Sequence, residues 1–206
     1  MKKGKTFVYL YSENAYVNLT NRCCNDCVFC LRNNADGILN NVLWLLREPT
    51  AAEVIEQLQR LEGQYRDVVF CGYGEPTYRM EEMLKVATFV RGLGKKIRLN
   101  TNGLGSAINK FDIVPFLKEY IDSVSVSLNT SAADRYAAVC RSSFGKEAYA
   151  HILDFSAKCV KAGIKTVLSV VDIISEEEIE ACRAVAEKTG AEFRVRQTIN
   201  DNKNYR

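Results

Sequence analysis

One histidine, His151, is all that the 206 residues contain, and it falls in a helix-like stretch far from the densest group of cysteines. That scarcity excludes metal sites assembled from histidine pairs. No apolar run approaches the roughly 20 residues needed to cross a bilayer, so no membrane partner is expected. Met1–Lys5 leads into a strand-like Thr6–Tyr11 run and does not read as a signal peptide. Charge of one sign is scarce as well: the net balance of +3 is too small to imply nucleic acid. Internal repeats, low-complexity tracts and linkers are all lacking. With 47% hydrophobic and 26% charged residues, the composition is that of one globular domain over 1–206. Its polar end, 197–206, is expected to fray.

Cysteine is plentiful by contrast. Three of the eight fall at Cys23, Cys27 and Cys30, a C-x3-C-x2-C spacing on one short loop, with Cys24 beside the first. Thiolates are soft ligands for zinc or iron–sulfur clusters. A structural zinc site asks for four protein ligands, and ordinary electron-transfer clusters ask for four cysteines. Cys71, Cys140, Cys159 and Cys182 stand singly, so no second pair completes either set. Three thiolates without a fourth point to a cluster with one iron left for a non-protein ligand, the mark of a catalytic metal. A zinc knuckle or plain reduced thiols are the alternatives at this stage. Unpaired cysteines fit a reducing compartment, so a cytoplasmic location is expected.

Hydrophobic periodicity organises the rest. Tyr16–Thr20 reads as a strand ahead of the cysteine loop. Thr50 and Glu53 form a capping box that opens a helix over 50–62, with Val54, Ile55, Leu58 and Leu61 at helical spacing. Asp67–Gly72 is a strand buried on both faces, and a helix spans 80–92. Lys96–Asn100 is a strand, and Asp112–Leu117 opens a helix. Ser123–Asn129 is a strand, 144–163 is mostly helix, and Thr166–Asp172 is a strand. Ser175 with Glu178 caps a helix to Gly190, and Glu192–Arg196 is the last strand. Six strands alternating with helices predict an α/β fold with a parallel sheet. A closed eight-unit barrel needs about 250 residues, so the expectation is a partial (β/α)6 TIM-type barrel.

In such folds ligands sit past the carboxyl ends of the strands, and there the unusual residues collect. Gly72-Tyr73-Gly74-Glu75-Pro76-Thr77 follows the second strand, either as a plain turn or as backbone made for close approach to a ligand. On the third strand Arg98, Asn100 and Asn102 share a face; on the fourth, Ser125, Ser127 and Asn129 do. A polar stripe inside a barrel is a ligand surface or an internal network. Asp172 ends the fifth strand. Arg194 and Arg196 share a face of the sixth, where an arginine grips a carboxylate or pairs with a neighbour such as Glu192. Cys140, a core thiol or a catalytic one, and Tyr73 are the catalytic candidates, with Tyr73, Tyr78 and Tyr136 expected around a substrate pocket.

The cysteine loop, with Phe29 as the aromatic before Cys30, resembles the C-x3-C-x-aromatic-C signature of the radical S-adenosylmethionine (radical SAM) superfamily. Gly72, Gly74 and Glu75 resemble its Gly-Gly-Glu motif, interrupted here by Tyr73. The resemblance implies a four-iron, four-sulfur (4Fe-4S) cluster on Cys23, Cys27 and Cys30, with Cys24 a bystander, and S-adenosyl-L-methionine (SAM) on its fourth iron. It implies that the Gly72–Glu75 run meets the SAM amino group, that Ser127 and Asn129 meet its ribose and carboxylate, and that Arg196 grips a carboxylate of SAM or of the substrate. Phe29, Asn100 and Asn102 complete the expected cofactor contacts. The run Asn18–Cys23 together with Phe70–Thr77, Arg98–Gly103, Ser125–Asn129 and Phe193–Arg196 is similar to the short radical SAM proteins associated with TatD-family hydrolases. The implied activity is reductive cleavage of SAM to a 5′-deoxyadenosyl radical that takes hydrogen from an unidentified substrate, fed by an external one-electron donor. Two rivals stand beside it. One is a non-catalytic iron–sulfur or zinc protein that senses redox state or carries electrons, which predicts a fourth protein ligand. The other is an accessory factor that modifies a partner polypeptide or RNA.

Overall fold

The structure, a computed structural model, describes residues 3–33, 36–38 and 41–197. The expected frayed end lies, from residue 198 on, outside the described residues. The chain opens with a hairpin, β1 (Val8–Tyr11) and β2 (Asn14–Val17), turned at Ser12 in the left-handed region at φ 54°. A small ribbon follows, β3 (Gly37–Ile38) against β4 (Asn41–Val42). Then come α1 (Ala51–Arg60), β5 (Asp67–Phe70), α2 (Met80–Gly92), β6 (Ile97–Thr101), α3 (Gly105–Asn109), α4 (Val114–Tyr120) and β7 (Ser123–Ser127). The chain closes with α5 (Ala133–Cys140), α6 (Glu147–Lys161), β8 (Lys165–Val171), α7 (Glu176–Thr189) and β9 (Glu192–Arg196).

Seven strands form one sheet in the order β1-β2-β5-β6-β7-β8-β9, and every neighbouring pair from β2 to β9 is parallel. Spatial order follows chain order, so each helical crossover steps the same way and the sheet curls without reversing. Its ends, β1 and β9, are not paired with each other. The six parallel strands expected from the sequence are all present, and the fold is the expected partial barrel. The antiparallel edge strand β1 is the addition: the Thr6–Tyr11 run folds back on β2.

Side-chain alternation builds the two faces. Ile97, Leu99 and Thr101 of β6 are buried under the helices, while Arg98 and Asn100 are half-buried on the inner face. Val124 and Val126 of β7 and Leu168 and Val170 of β8 pack outward in the same layer, against Val86, Val90, Ile152 and Phe155 of the helices. A second, smaller apolar cluster joins Tyr9, Leu43 and Tyr73, with Tyr11, Tyr16 and Trp44 around them.

Several boundaries differ from expectation. The first parallel strand is Asn14–Val17, not 16–20, because Asn18 turns its side chain to the carbonyl of Leu43, 2.8 Å away. Helices α3 and α5 escape the periodicity, being only 5 and 8 residues long, too short to establish a helical period. The Thr50–Glu53 capping box forms in full. At α7 only half of one does: Ser175 Oγ accepts from Glu178 N–H, but the Glu178 carboxylate crosses to the Ser131 N–H and hydroxyl and to Arg135. Glu178 thereby ties α7 to the start of α5.

Candidate functional site

The stem of the cysteine loop is set by polar clamps. Asn21 exchanges two hydrogen bonds with the backbone of Leu45. The Thr20 hydroxyl donates to Glu48, which also receives Arg22 and Arg79. The loop then lies on the end of α5. Asp26 N–H donates to the Cys140 carbonyl and Val28 N–H to the Val139 carbonyl, each at 3.0 Å, so the loop satisfies carbonyls that the last turn of a helix leaves unpaired. Ser143 N–H returns a bond to the Cys24 carbonyl, and Asn25 Nδ2 donates to the Tyr136 hydroxyl at 2.7 Å.

The glycine run packs beneath this stem. A Cβ on Gly74 would lie 2.4 Å from the Thr20 carbonyl oxygen and 2.5 Å from that of Arg22, and one on Gly72 would lie 2.0 Å from Asn18 Oδ1. The glycines are thus required by the chain's own backbone and side chains on the side facing the stem. Glu75 N–H donates to the Arg22 carbonyl, and the Glu75 side chain turns inward, 3% exposed. Its Oε1 accepts from Thr77 N–H, Thr77 Oγ1 and Thr101 Oγ1, and its Oε2 from Asn102 N–H at 2.7 Å. Burial raises the pKa of this carboxyl while those donors oppose the shift. Glu75 therefore fastens the second strand's loop to the third, with only Oε2 retaining spare accepting capacity on the cavity wall.

Above the strand tips these parts enclose a cavity of about 430 Å³. Cys23, Cys27, Phe29 and Cys30 line it from above, Gly72, Gly74 and Glu75 from one side, and Asn100, Asn102, Ser125, Ser127, Asn129, Arg194 and Arg196 along the strands. The metal and cofactor candidates from the sequence thus converge on one chamber. Three of its polar atoms, Asn100 Oδ1, Asn129 Oδ1 and Arg196 Nε, are buried without a hydrogen-bond partner. Asn129 also holds φ 63°, a left-handed conformation that asparagine tolerates better than most residues. Among the described residues no three donors are drawn in on one point as a single metal ion asks, although Cys23, Cys27 and Cys30 all line the chamber. Burial pushes the Cys30 thiol up and pulls the Arg196 guanidinium below its usual value.

Other candidates fall elsewhere. Cys140 is fully buried behind the loop, its sulfur accepting from Asn129 Nδ2 at 3.3 Å, and it is not on the chamber wall. Cys24 is likewise turned into the core, where Asn102 Nδ2 reaches its sulfur at 3.2 Å. Tyr73 packs edge-on against Trp44 in the smaller apolar cluster, Tyr78 lies under the Arg22 guanidinium, and Tyr136 is fully buried. None of the three lines the chamber: aromatic bulk near a motif is a poor guide to which way a ring points. Asp172 sits past β8, its N–H bound to the Arg196 carbonyl, and is not on the wall either. Glu192 pairs with Lys165 and leaves Arg196 to the interior. The sequence reading missed Cys71, Asn25, Val171 and Ile173 as wall residues. Cys71 had a readable signal, since it directly precedes the glycine run at the end of a strand.

Residues 17–187 match the Radical SAM superfamily. The chain belongs to that superfamily. Among solved structures, a radical SAM methyltransferase from Sphaerobacter thermophilus superposes with TM-score 0.60 at 15% identity, over 92% of this chain and 68% of that one. Streptococcus suis SuiB bound to S-adenosylmethionine superposes with TM-score 0.67 at 18% identity, over 92% of this chain and 41% of that one. HydG, a maturase of the [FeFe]-hydrogenase, gives 0.60 at 17% identity, over 93% and 44%. The radical SAM chain thus spans less than half of two of these three proteins. At such identities the likeness is one of fold. No curated protein matches the chain in sequence.

Proposed function

We propose that this radical SAM domain is an enzyme that holds a 4Fe-4S cluster through Cys23, Cys27 and Cys30, with SAM beside it in the chamber. When bound, the pair supplies a 5′-deoxyadenosyl radical that takes a hydrogen atom from a substrate, the electron coming from an external donor. The observation that carries this reading is the convergence of three thiols, the glycine run and the polar strand stripe on one cavity, with polar atoms left unsatisfied along it. The donor set fits: three soft sulfurs line one space, with Cys24 beside Cys23 and Cys140 beside Cys27 but both off its wall.

In this reading each part of the chain has a task. The α5 end and Tyr136 keep the cysteine loop in one conformation. Glu75 holds the glycine run in place, and the backbone of Gly74 and Glu75 is presented to the cofactor's amino group. Ser127, Asn129 and Asn100 supply hydrogen bonds along the strands, and Phe29 covers the upper wall. A positioned substrate then reacts without a search through solvent. The closer grouping with TatD-associated proteins rests on the motif run alone, and a cytoplasmic location rests on the unpaired thiols.

The test is anaerobic reconstitution with iron and sulfide, followed by assay for 5′-deoxyadenosine from SAM under a strong reductant. Formation of the nucleoside supports the reading. A chain that binds iron fully yet cleaves no SAM contradicts it, and loss of iron on Cys24→Ala or Cys140→Ala would favour a closed, four-ligand site.

A further inference from the structure

The deep side of the chamber carries charge that the proposed cofactors leave unmatched. Arg194 and Arg196 stand two positions apart on β9 and reach across β8 to β7. Arg194 Nη2 donates to Ser125 Oγ at 3.0 Å and Arg196 Nη2 to Ser127 Oγ at 3.4 Å. Among the described residues neither lies within ion-pair distance of a carboxylate. Among the described residues Glu75 is the one acid on the chamber wall, and it is held by four donors from Thr77, Thr101 and Asn102. Two adjacent guanidiniums, Arg196 half-buried and Arg194 exposed, are met there by two neutral hydroxyls, so a bound anion would relieve their mutual repulsion. A planar guanidinium fork fits a carboxylate or a phosphate.

The two arginines are not equivalent. Arg196 is in register with Val171 at the strand tips, so an acid group of SAM would meet it first. Arg194 is in register with Ser169, one inward-facing step deeper, and bonds to Ser125. One carboxylate at the rim leaves Arg194 unmatched. It is also the more exposed of the two, on an edge strand at the sheet's open side, so a ligand reaches it without unfolding anything.

We infer that Arg194, steadied by Ser125, is the anchor for an oxyanion on the substrate, a carboxylate or a phosphate, held deeper than the cofactor. The identity of the chamber as a reaction site rests on the proposed function; the anion site itself does not. The experiment titrates sodium phosphate and, separately, disodium malonate into the reconstituted full chain saturated with SAM, at constant ionic strength, with heat as the readout. Saturable binding of either anion is expected, and the anion preferred tells carboxylate from phosphate. Arg194→Gln should weaken it roughly ten- to hundredfold, the loss of one charge-assisted contact. Arg194→Lys should weaken it less, and Ser125→Ala by a few-fold. Arg60→Gln, which removes a charge paired with Glu56 on α1, should change nothing. Should Arg194→Gln fold poorly, the lysine and Ser125 variants carry the same comparison. The inference is overturned by the absence of saturable binding for both anions, by Arg194 variants that bind as the unaltered chain does, or by equal loss in Arg60→Gln. Iron content and 5′-deoxyadenosine are measured on the same preparation. Their absence beside intact anion binding sinks the cluster reading alone, and their presence without anion binding sinks this one alone.

Discussion

The two sides of the chamber are built on opposite plans. On the side of β2, β5 and β6 the loops past the strands are clamped: Glu75 has four donors, Glu48 gathers Thr20, Arg22 and Arg79, and Asn21 is matched at both ends of its amide, while on the strands themselves Asn14 Oδ1, Arg98 Nε and Asn100 Oδ1 stay without partners. On the side of β7, β8 and β9 the interior is left open, with Arg194 and Arg196 on hydroxyls, and Asn129 Oδ1 and Arg196 Nε buried without partners. A saturated network fixes a loop in one shape, because every alternative leaves a buried group unpaired. An unsaturated one is completed by something else. The first side is therefore the frame that presents the cysteines, and the second is where ligands are received.

Breaking the frame should have the larger effects. Replacing Cys23, Cys27 or Cys30 singly by alanine should abolish iron retention after reconstitution, read by iron analysis, whereas Cys24→Ala should keep it. Glu75→Ala strands Thr77, Thr101 and Asn102 donors in the interior; chemical denaturation should show a loss of about 3 kcal/mol, in the range for a buried charge that accepts several hydrogen bonds. Tyr136→Phe removes the hydroxyl that receives Asn25, and should lower stability by about 1–2 kcal/mol while loosening the cysteine loop to proteolysis. Thr50→Ala, at the α1 cap well away from the chamber, should lower stability by about 1 kcal/mol and leave iron content unchanged. If Thr50→Ala lost iron as readily as Tyr136→Phe, the distinction between frame and remote scaffold would fail.

The sequence displayed the frame's chemistry better than its geometry. Cysteine spacing and the strand alternation that sets Asn100 with Asn102, and Ser125 with Ser127, on one face put the right residues on the chamber wall, since strand periodicity is local and strict. The hydrogen bonds of Glu75 to Thr101 and Asn102 span 26 and 27 positions, and nothing local announces them. The same holds for the seat of the cysteine loop on α5, a helix of 8 residues that is too short to show a period. The glycines were legible as special. Their reason was not, because the atoms that forbid a Cβ belong to Asn18, Thr20 and Arg22, some 50 residues away in the chain. Cys140 and Tyr73 misled for a related cause: the residue type fits the chemistry, but burial in the core is a tertiary fact.

The central claim is that three cysteines, and no fourth side chain, hold the cluster. It is tested most directly by electron paramagnetic resonance of the reduced, reconstituted chain before and after addition of SAM, with Cys24→Ala and Cys140→Ala prepared in parallel. The account predicts about four irons per chain in all three proteins and a spectrum that shifts when SAM occupies the open iron. A spectrum indifferent to SAM, together with loss of iron in either variant, would contradict it.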